Sequence, residues 1–434
     1  MQFHGLKFIA KIIFYFFVLI SLLFFGCSGR NSGRTELTFW AMGAEGENIS
    51  KLLPRFKAVH PEIKVHIQKI PWALAHEKLL TAFAGQSTPD ICQLGNTWIA
   101  EFQAMDALLS LDSLAARSSI VDQSNYFKGI WNTNLIGRRL FGIPWYVDTR
   151  LLFYRRDILA EAGFTSPPKT WDRWIEAARK IKKLANSKRR YSVFFSLIYN
   201  DWQVPVILIM ENNGHLLKDN NSFAAFDDSS TVAALKYYLQ FFNENLAPRN
   251  MTEVTNIYQG FSDGFFSMFI TGPWNVNEIR KRYPRLNKRW GTAPMPAGKN
   301  GDSIAGGSSL VVFRNSRHSK EAWEFIEFLS TPEIQSEFFR LTGDLPAVRA
   351  AWTIAGLKED SKFRAFYEQL EKAKPTPKLP EWEQIAAKIQ EYLEQVIYKK
   401  RSLNEAISEL NKDVNQILQK RRWLLSKKLI NVHE

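Results

Sequence analysis

From residue 36 onward, the hydrophobic positions of this chain alternate between a period of two and a period near 3.6. Residues 36–40 (Glu-Leu-Thr-Phe-Trp) alternate as a short strand. After a glycine-containing loop, Ile49, Leu52, Leu53 and Phe56 recur at helical spacing; Pro61 ends that helix and residues 63–67 alternate again. Strand, helix and strand in this order form a βαβ unit, which predicts a parallel sheet. Leu79, Leu80 and Phe83 mark another helix, a turn from Gly85 to Pro89 closes it, and residues 90–94 form the next strand. Residues 139–148 are expected to be extended, because Pro144 cannot continue a helix. The alternation then restarts with a strand at 151–154, a short helix at 156–162 closed by Gly163, and a helix after Pro167 and Pro168 that Thr170 caps. Helical spacing returns over 231–242 and 320–329, and two helical stretches follow residue 381, the second spaced as Ala406, Leu410, Val414 and Leu418. There is no internal repeat or low-complexity tract. Two α/β lobes account for the series most simply, since about 400 residues exceed one ordinary core.

The first 26 residues stand apart from this pattern. Lys7 and Lys11 precede an apolar run over 12–25 that only Ser21 interrupts. Roughly 14 apolar residues suit a signal sequence and fall short of the ~20 that span a bilayer. The run ends in Gly26-Cys27-Ser28-Gly29, which resembles the lipobox of bacterial lipoproteins, with Phe24 where leucine is usual. That resemblance implies a leader over 1–26 and acylation of Cys27, which would tether the protein to a membrane. Residues 27–35 are small and polar and read as a flexible tether. With Cys27 lipidated, Cys92 has no partner, so neither a disulfide framework nor a cysteine-based metal site is expected.

Charge and composition narrow the function. The formal net charge of +14 lies in separate clusters, over 179–190, 280–289 and 420–428, rather than in one stripe, and no nucleic-acid-binding module accompanies it. These clusters read as solvated faces, and nucleic acid is not an expected partner. The chain has no Gly-x-Ser-x-Gly elbow, no Walker loop and no His-Glu-x-x-His; Gly306-Gly-Ser-Ser309 lacks the elbow pattern. His60 and His66 flank a turn six residues apart and make a poor metal pair, and no metal or cofactor is expected. A glycoside hydrolase would need two carboxylates across one bond, and Asp148 has Arg150 close in sequence but no obvious acidic companion. Aromatic residues are abundant, with 14 Trp and 32 Phe. Most must pack a core, but tryptophan also suits the apolar faces of sugar rings.

Five stretches carry a more specific signal. They are Leu37-Thr-Phe-Trp40 with the loop, helix and His60-Pro-Glu-Ile-Lys-Val65 that follow; Thr88-Pro-Asp-Ile91 with Asn96 and Trp98; Ile143-Pro-Trp-Tyr-Val-Asp148 running on to Tyr154, with Pro168-Lys-Thr-Trp171; Phe269-Ile-Thr-Gly-Pro-Trp274; and Ala305-Gly-Gly-Ser-Ser-Leu310 with Ala322-Trp323 and Thr342-Gly-Asp-Leu-Pro346. Found in this order over residues 35–350, they resemble the extracellular solute-binding proteins, the family that includes the maltose-type sugar-binding proteins of ABC importers.

The resemblance implies an α/β, two-lobed periplasmic-binding-protein (Venus flytrap) fold of type II. Residues 36–147 and 297–331 would form lobe one, 148–296 and 332–424 lobe two, and 425–434 a basic tail. It also implies a monomer that captures a sugar in the cleft by hinge closure and hands it to the permease subunits of an ABC transporter. Carried over by position, the site would comprise Trp40 and Glu45, then Asn96 and Trp98, then Trp145, Asp148 and Arg150 in the crossing segment. Trp202, Trp274, Gly306, Gly307, Arg349 and Trp382 would complete it. Trp145 and Trp274 would stack on the sugar, Asp148 would accept its hydroxyls, Arg150 would donate to it or orient Asp148, and the two glycines would let the backbone approach it. Each role has a plainer alternative: a hinge salt bridge for Asp148 and Arg150, a loop or helix-start charge for Glu45, and core packing for Trp202, Trp274 and Trp382. A chemoreceptor or adhesion lipoprotein is the alternative with the same ligand, and a glycoside hydrolase the enzymatic one.

Overall fold

The computed structural model describes residues 34–427 except 185–190, 198–200, 251–253 and 255. Cys27, the leader and most of the tether therefore lie outside the described residues, as do residues 428–434 of the expected basic tail.

Strand β1 (Thr35–Met42) pairs in parallel with β2 (Ile63–Ile70) and with β3 (Ile91–Gly95), as the βαβ reading requires. The helix between β1 and β2 starts earlier than the apolar spacing shows. The segment Gly43–Asn48, expected as a loop, is already helical and runs through a 3₁₀ turn into helix Leu53–Val59. Gly43 permits this early start: its φ is +48°, and a Cβ there would sit 2.8 Å from the Trp72 ring.

The extended segment predicted at 139–148 contains β4 (Ile143–Asp148), and only Thr149 and Arg150 separate it from β5 (Leu151–Arg155). Those two residues carry the chain from one sheet to the other. β5 joins β6 (Tyr191–Phe194), β7 (Phe266–Thr271) and β8 (Trp290–Ala293) in a four-stranded sheet of order β8-β5-β7-β6. All six residues of β7 are buried, as in a strand covered on both faces. The chain then returns. β9 (Gly306–Val312) inserts antiparallel between β3 and β4, and β10 (Leu345–Pro346) pairs with the outer side of β4, so the first sheet has the order β10-β4-β9-β3-β1-β2.

Two of the expected boundaries shift. The return to the first sheet comes at β9, from residue 306 rather than 297. Residues 332–346, expected in the second lobe, stay with the first: helix Pro332–Thr342 packs on helix Gly43–Asn48, and β10 extends the first sheet. Helix Ser361–Leu370 then packs on the second sheet. Where the chain crosses, residues 303–304 and 373–374 pair in parallel, so two crossing segments are hydrogen-bonded to each other. Helices Trp382–Ile397 and Leu403–Ile417 pack on each other and join the second-lobe core through Ile385, Ile389, Leu410 and Val414. Among the described residues, no helix is long and apolar enough to cross a membrane.

Candidate functional site

The parallel strands β1 and β3 end at Met42 and Gly95, and polar groups gather just beyond those carboxyl ends, where open α/β sheets usually bind ligands. Gln93, on β3, is fully buried, and its Oε1 accepts the Met42 amide at 2.7 Å. Its Nε2 faces Glu45 Oε1 at 3.4 Å and the hydroxyls of Tyr146 and Ser308 at 3.3 Å each, and Ser308 Oγ lies 3.0 Å from Tyr146 Oη. The network thus joins the helix after β1 to strands β3, β4 and β9. Burial pushes the Glu45 carboxyl above its usual range, partly offset by hydrogen bonds from Tyr146 and Gln93, and burial together with the Glu45 charge drives the Tyr146 phenol well up.

The crossing segment supplies the next groups. Asp148 ends β4, and its Oδ1 accepts from Arg150 Nη1 at 3.0 Å. The Arg150 guanidinium lies 4.9 Å from the centre of the Trp274 ring. Trp274 opens helix Trp274–Arg282 and folds back over Gly272, where a Cβ would come within 2.1 Å of the ring. Gly306 pairs with Asp148 across β9 and β4, and a Cβ at Gly306 would lie 2.1 Å from the Asp148 carboxylate. Gly307 has φ +118°, and its Cβ would lie 2.3 Å from the Tyr146 carbonyl. The two glycines therefore make room for the protein's own carboxylate and carbonyl as well as opening the wall.

These groups line one cleft between the two sheets, with a volume of about 510 Å³, inside the ~300–1,000 Å³ range of small-molecule sites. Of the positions implied by the resemblance, Glu45, Asn96, Trp98, Asp148, Arg150, Trp202, Trp274, Gly306 and Gly307 all line it. Asn96 is partly committed, since its Nδ2 donates to the Ala305 carbonyl at 2.6 Å. Trp202 is nearly buried, edge-on to Trp382 at 5.1 Å.

Four expected residues lie elsewhere. Trp145 is a core residue, 1% exposed and stacked on Phe338 at 4.5 Å; neighbours on a strand face opposite ways, and Tyr146 takes the cleft position. Trp382 is fully buried in the second-lobe core, and its neighbour Glu383 reaches the cleft, where Thr97 Oγ1 donates to it at 2.5 Å. Trp40 packs beside Met42 on the outer face of the first sheet, under the Lys78 ammonium at 4.9 Å. Arg349 is a structural tie: it pairs with Glu371, donates to the Tyr126 carbonyl at 3.1 Å and covers the Phe127 ring at 4.5 Å.

Other lining residues were missed, among them Trp72, Tyr146, Asp344 and Glu383. Trp72 follows Pro71 at the end of β2, and Asp344 lies inside the quoted Thr342-Gly-Asp-Leu-Pro346 stretch, so both had a signal. Burial and the nearby Glu45 and Asp148 charges push Asp344 up to about 8. Outside the cleft, His60, Glu62 and Glu324 place three potential ligand atoms within 4.8 Å of one another, but they take no part in the site. Chemically, the cleft offers the partly exposed tryptophans Trp72, Trp98 and Trp274 as apolar faces, beside the buried Trp202, with carboxyl, amide and guanidinium groups between them. Such a surface fits a ligand with apolar faces and many hydroxyls.

Known proteins share this architecture. A solved structure, the sugar-binding protein MalE from Xanthomonas citri, superposes with a TM-score of 0.86 at 41% identity, over 90% of this chain and 99% of that one. The diacetylchitobiose binding protein DasA of Streptomyces coelicolor is 26% identical over 361 residues, 80% of each chain. The galactooligosaccharide-binding protein of Bacillus subtilis is 24% identical over 395 residues, 88% of this chain and 89% of the relative. Residues 41–336 match the family model described as bacterial extracellular solute-binding protein. With the two sheets, the repeated crossings and the cleft between them, that match over more than half of its length establishes that the chain belongs to the bacterial extracellular solute-binding proteins.

Proposed function

We propose that this protein is an extracytoplasmic lipoprotein that captures a sugar, an oligosaccharide in particular, and delivers it unaltered to the permease of an ABC importer. The observation that carries the reading is the convergence of four tryptophans with Glu45, Asp148, Asp344 and Arg150 in one cleft at the crossing between two sheets. Trp274, two-fifths exposed, offers a ring face, Asp148 accepts hydroxyls, and Arg150 orients Asp148 while backing the Trp274 ring. Polar groups of the cleft wall such as Glu45 and Asp148 give selectivity, because a ligand that desolvates them without pairing them loses about 1–3 kcal/mol for each. The sugar-binding names of the relatives support the ligand class, and the Cys27 motif supports the anchor.

The test is a thermal-shift screen of the purified chain against mono- and oligosaccharides, followed by calorimetry and chromatography of the recovered ligand. Saturable binding near micromolar affinity, about −8 kcal/mol, with the sugar returned intact, is the expected result. A hydrolysed ligand would move the protein to the glycosidases, and a panel without any binder would refute the sugar reading.

A further inference from the structure

We propose that Asp344 and Glu45 act as a two-carboxyl clamp on the first-lobe wall of the cleft, reading a pair of hydroxyls at one end of the bound sugar and excluding sugars that carry a carboxylate or phosphate there. The proposal rests on the sugar reading above and adds to it which residues choose the ligand and what they refuse.

The fold brings the two acids together from residues 299 positions apart in the chain. Helix Pro332–Thr342 ends at Gly343, whose φ of +84° turns the chain sharply, so that Asp344 enters the cleft wall before β10 begins. The same helix packs on helix Gly43–Asn48, which carries Glu45. Their surroundings differ. Glu45 is anchored, with Gln93 and Tyr146 bonded to its carboxyl. Asp344 is tied by its backbone, its amide donating to Thr342 Oγ1 at 3.1 Å, while its buried Oδ2 has no hydrogen-bond partner among the described residues. Buried polar atoms are nearly always paired, so the unpaired Oδ2 leaves this carboxyl of the cleft wall with bonding capacity that a ligand's hydroxyl can take up once the side chain turns toward it.

Charge decides what that ligand can be. The groups facing Asp344 are Glu45 from the helix after β1, and Asp148 and Tyr146 from β4. The cationic side chain in the lining, Arg150, is turned to Asp148 and Trp274. Four carboxyl groups, those of Glu45, Asp148, Asp344 and Glu383, thus line the cleft against one guanidinium among the described residues. An anionic sugar would meet repulsion from the Glu45 and Asp148 charges that face the neutral Asp344, and like-charge contact is a strong means of rejection. A neutral sugar would meet complementary groups. Burial and the neighbouring acids keep Asp344 protonated up to about pH 8, and in that form it donates as well as accepts. A sugar covering the wall buries Asp344 further, which favours the neutral form, so the neutral acid is the form that binds.

The experiment is calorimetry on the full chain with the best neutral oligosaccharide of the screen and its uronic-acid counterpart, at pH 6.5 and pH 9, for wild type, Asp344→Asn and Asp344→Ala. Wild type should bind the neutral sugar several-fold more weakly at pH 9 than at pH 6.5 and should not bind the uronate measurably. Asp344→Ala should lose at least tenfold in affinity at pH 6.5. Asp344→Asn should show less than a twofold change with pH while keeping the preference for the neutral sugar at pH 6.5. Neither variant should melt below wild type without ligand, because the substitution removes a buried, unpaired acid; a merely structural role would lower the melting temperature and leave the pH profile unchanged. Unchanged affinity in Asp344→Ala, or a uronate bound as tightly as the neutral sugar, overturns the clamp alone. A wild-type chain that binds no sugar overturns the sugar reading and the clamp with it.

Discussion

Replacing Trp274 with alanine separates a ligand-facing ring from a structural one, and the size of the effect follows from the geometry. The ring is 40% exposed and belongs to none of the hydrophobic cores. A tryptophan presents up to ~250 Å² of surface, so about 100 Å² remains for a ligand to cover, worth ~2.5 kcal/mol at ~25 cal/mol per Å². That corresponds to a loss of roughly 60-fold in affinity when the ring is removed. Without ligand the cost is smaller, about 1 kcal/mol, because the ring rests on Gly272 and Arg150 rather than inside a core. Trp382→Ala is the matched control: that ring is fully buried, and its removal should cost about 3–5 kcal/mol of stability. Urea unfolding of both variants, with calorimetry on the best sugar of the screen, gives the two numbers for each. The assignment of Trp274 fails if its variant binds within threefold of wild type while losing as much stability as Trp382→Ala.

Three further outcomes are expected. Asp148→Asn keeps the shape of the crossing but removes the carboxylate that accepts from Arg150; sugar affinity should fall by about 1.5–3 kcal/mol, with little change in the unliganded melting temperature, and calorimetry checks both. Glu211 is fully buried, its Oε2 accepts from Trp171 Nε1 at 2.8 Å, and burial drives its carboxyl well up. A raised folded-state value means that its contribution is complete below the unfolded carboxylate range and is lost as pH rises through the folded value; the melting temperature of Glu211→Gln relative to wild type should therefore increase from pH 4 to pH 8, and a constant difference would contradict this. In cells fed labelled palmitate, the wild-type chain should take up label and Cys27→Ser should not, and equal labelling of the two would remove the anchor.

The segments that build the cleft were legible in the sequence, whereas the side chains that face it were only partly so. Alternation placed β1 and β2, Pro144 kept the segment that holds β4 extended, and the resemblance singled out Trp274, which lines the cleft. Direction within a segment depends on partners far along the chain. Trp145 is turned inward by Phe338, 193 residues later, leaving the cleft to Tyr146, a reversal that one step along a strand always produces. Trp382 and Glu383 exchange roles for the helical version of the same reason, since adjacent helix positions point about 100° apart. Arg349 carries the marks of a ligand contact, but Glu371 and Phe127 occupy it, and both come from elements whose packing no local pattern reports. Asp344 sits in the Thr342-Gly-Asp-Leu-Pro346 stretch that carries part of the resemblance, and its place beside Glu45 depends on helix Pro332–Thr342 packing against helix Gly43–Asn48, which no local pattern reports.

The position of β9 bears on how this protein is made. It is the strand that separates β3 from β4, yet it is synthesised more than 150 residues after β4. Until residue 312 has emerged, β3 and β4 each have an open edge, and the first lobe cannot close. The strands of the second sheet are complete by residue 293, so its sheet can form while the first is still split. A growing chain therefore carries an unfinished amino-terminal half for most of its synthesis. For the exported lipoprotein proposed above, that delay would be an advantage: the half that enters a secretion channel first would also be the half that cannot lock into shape too early.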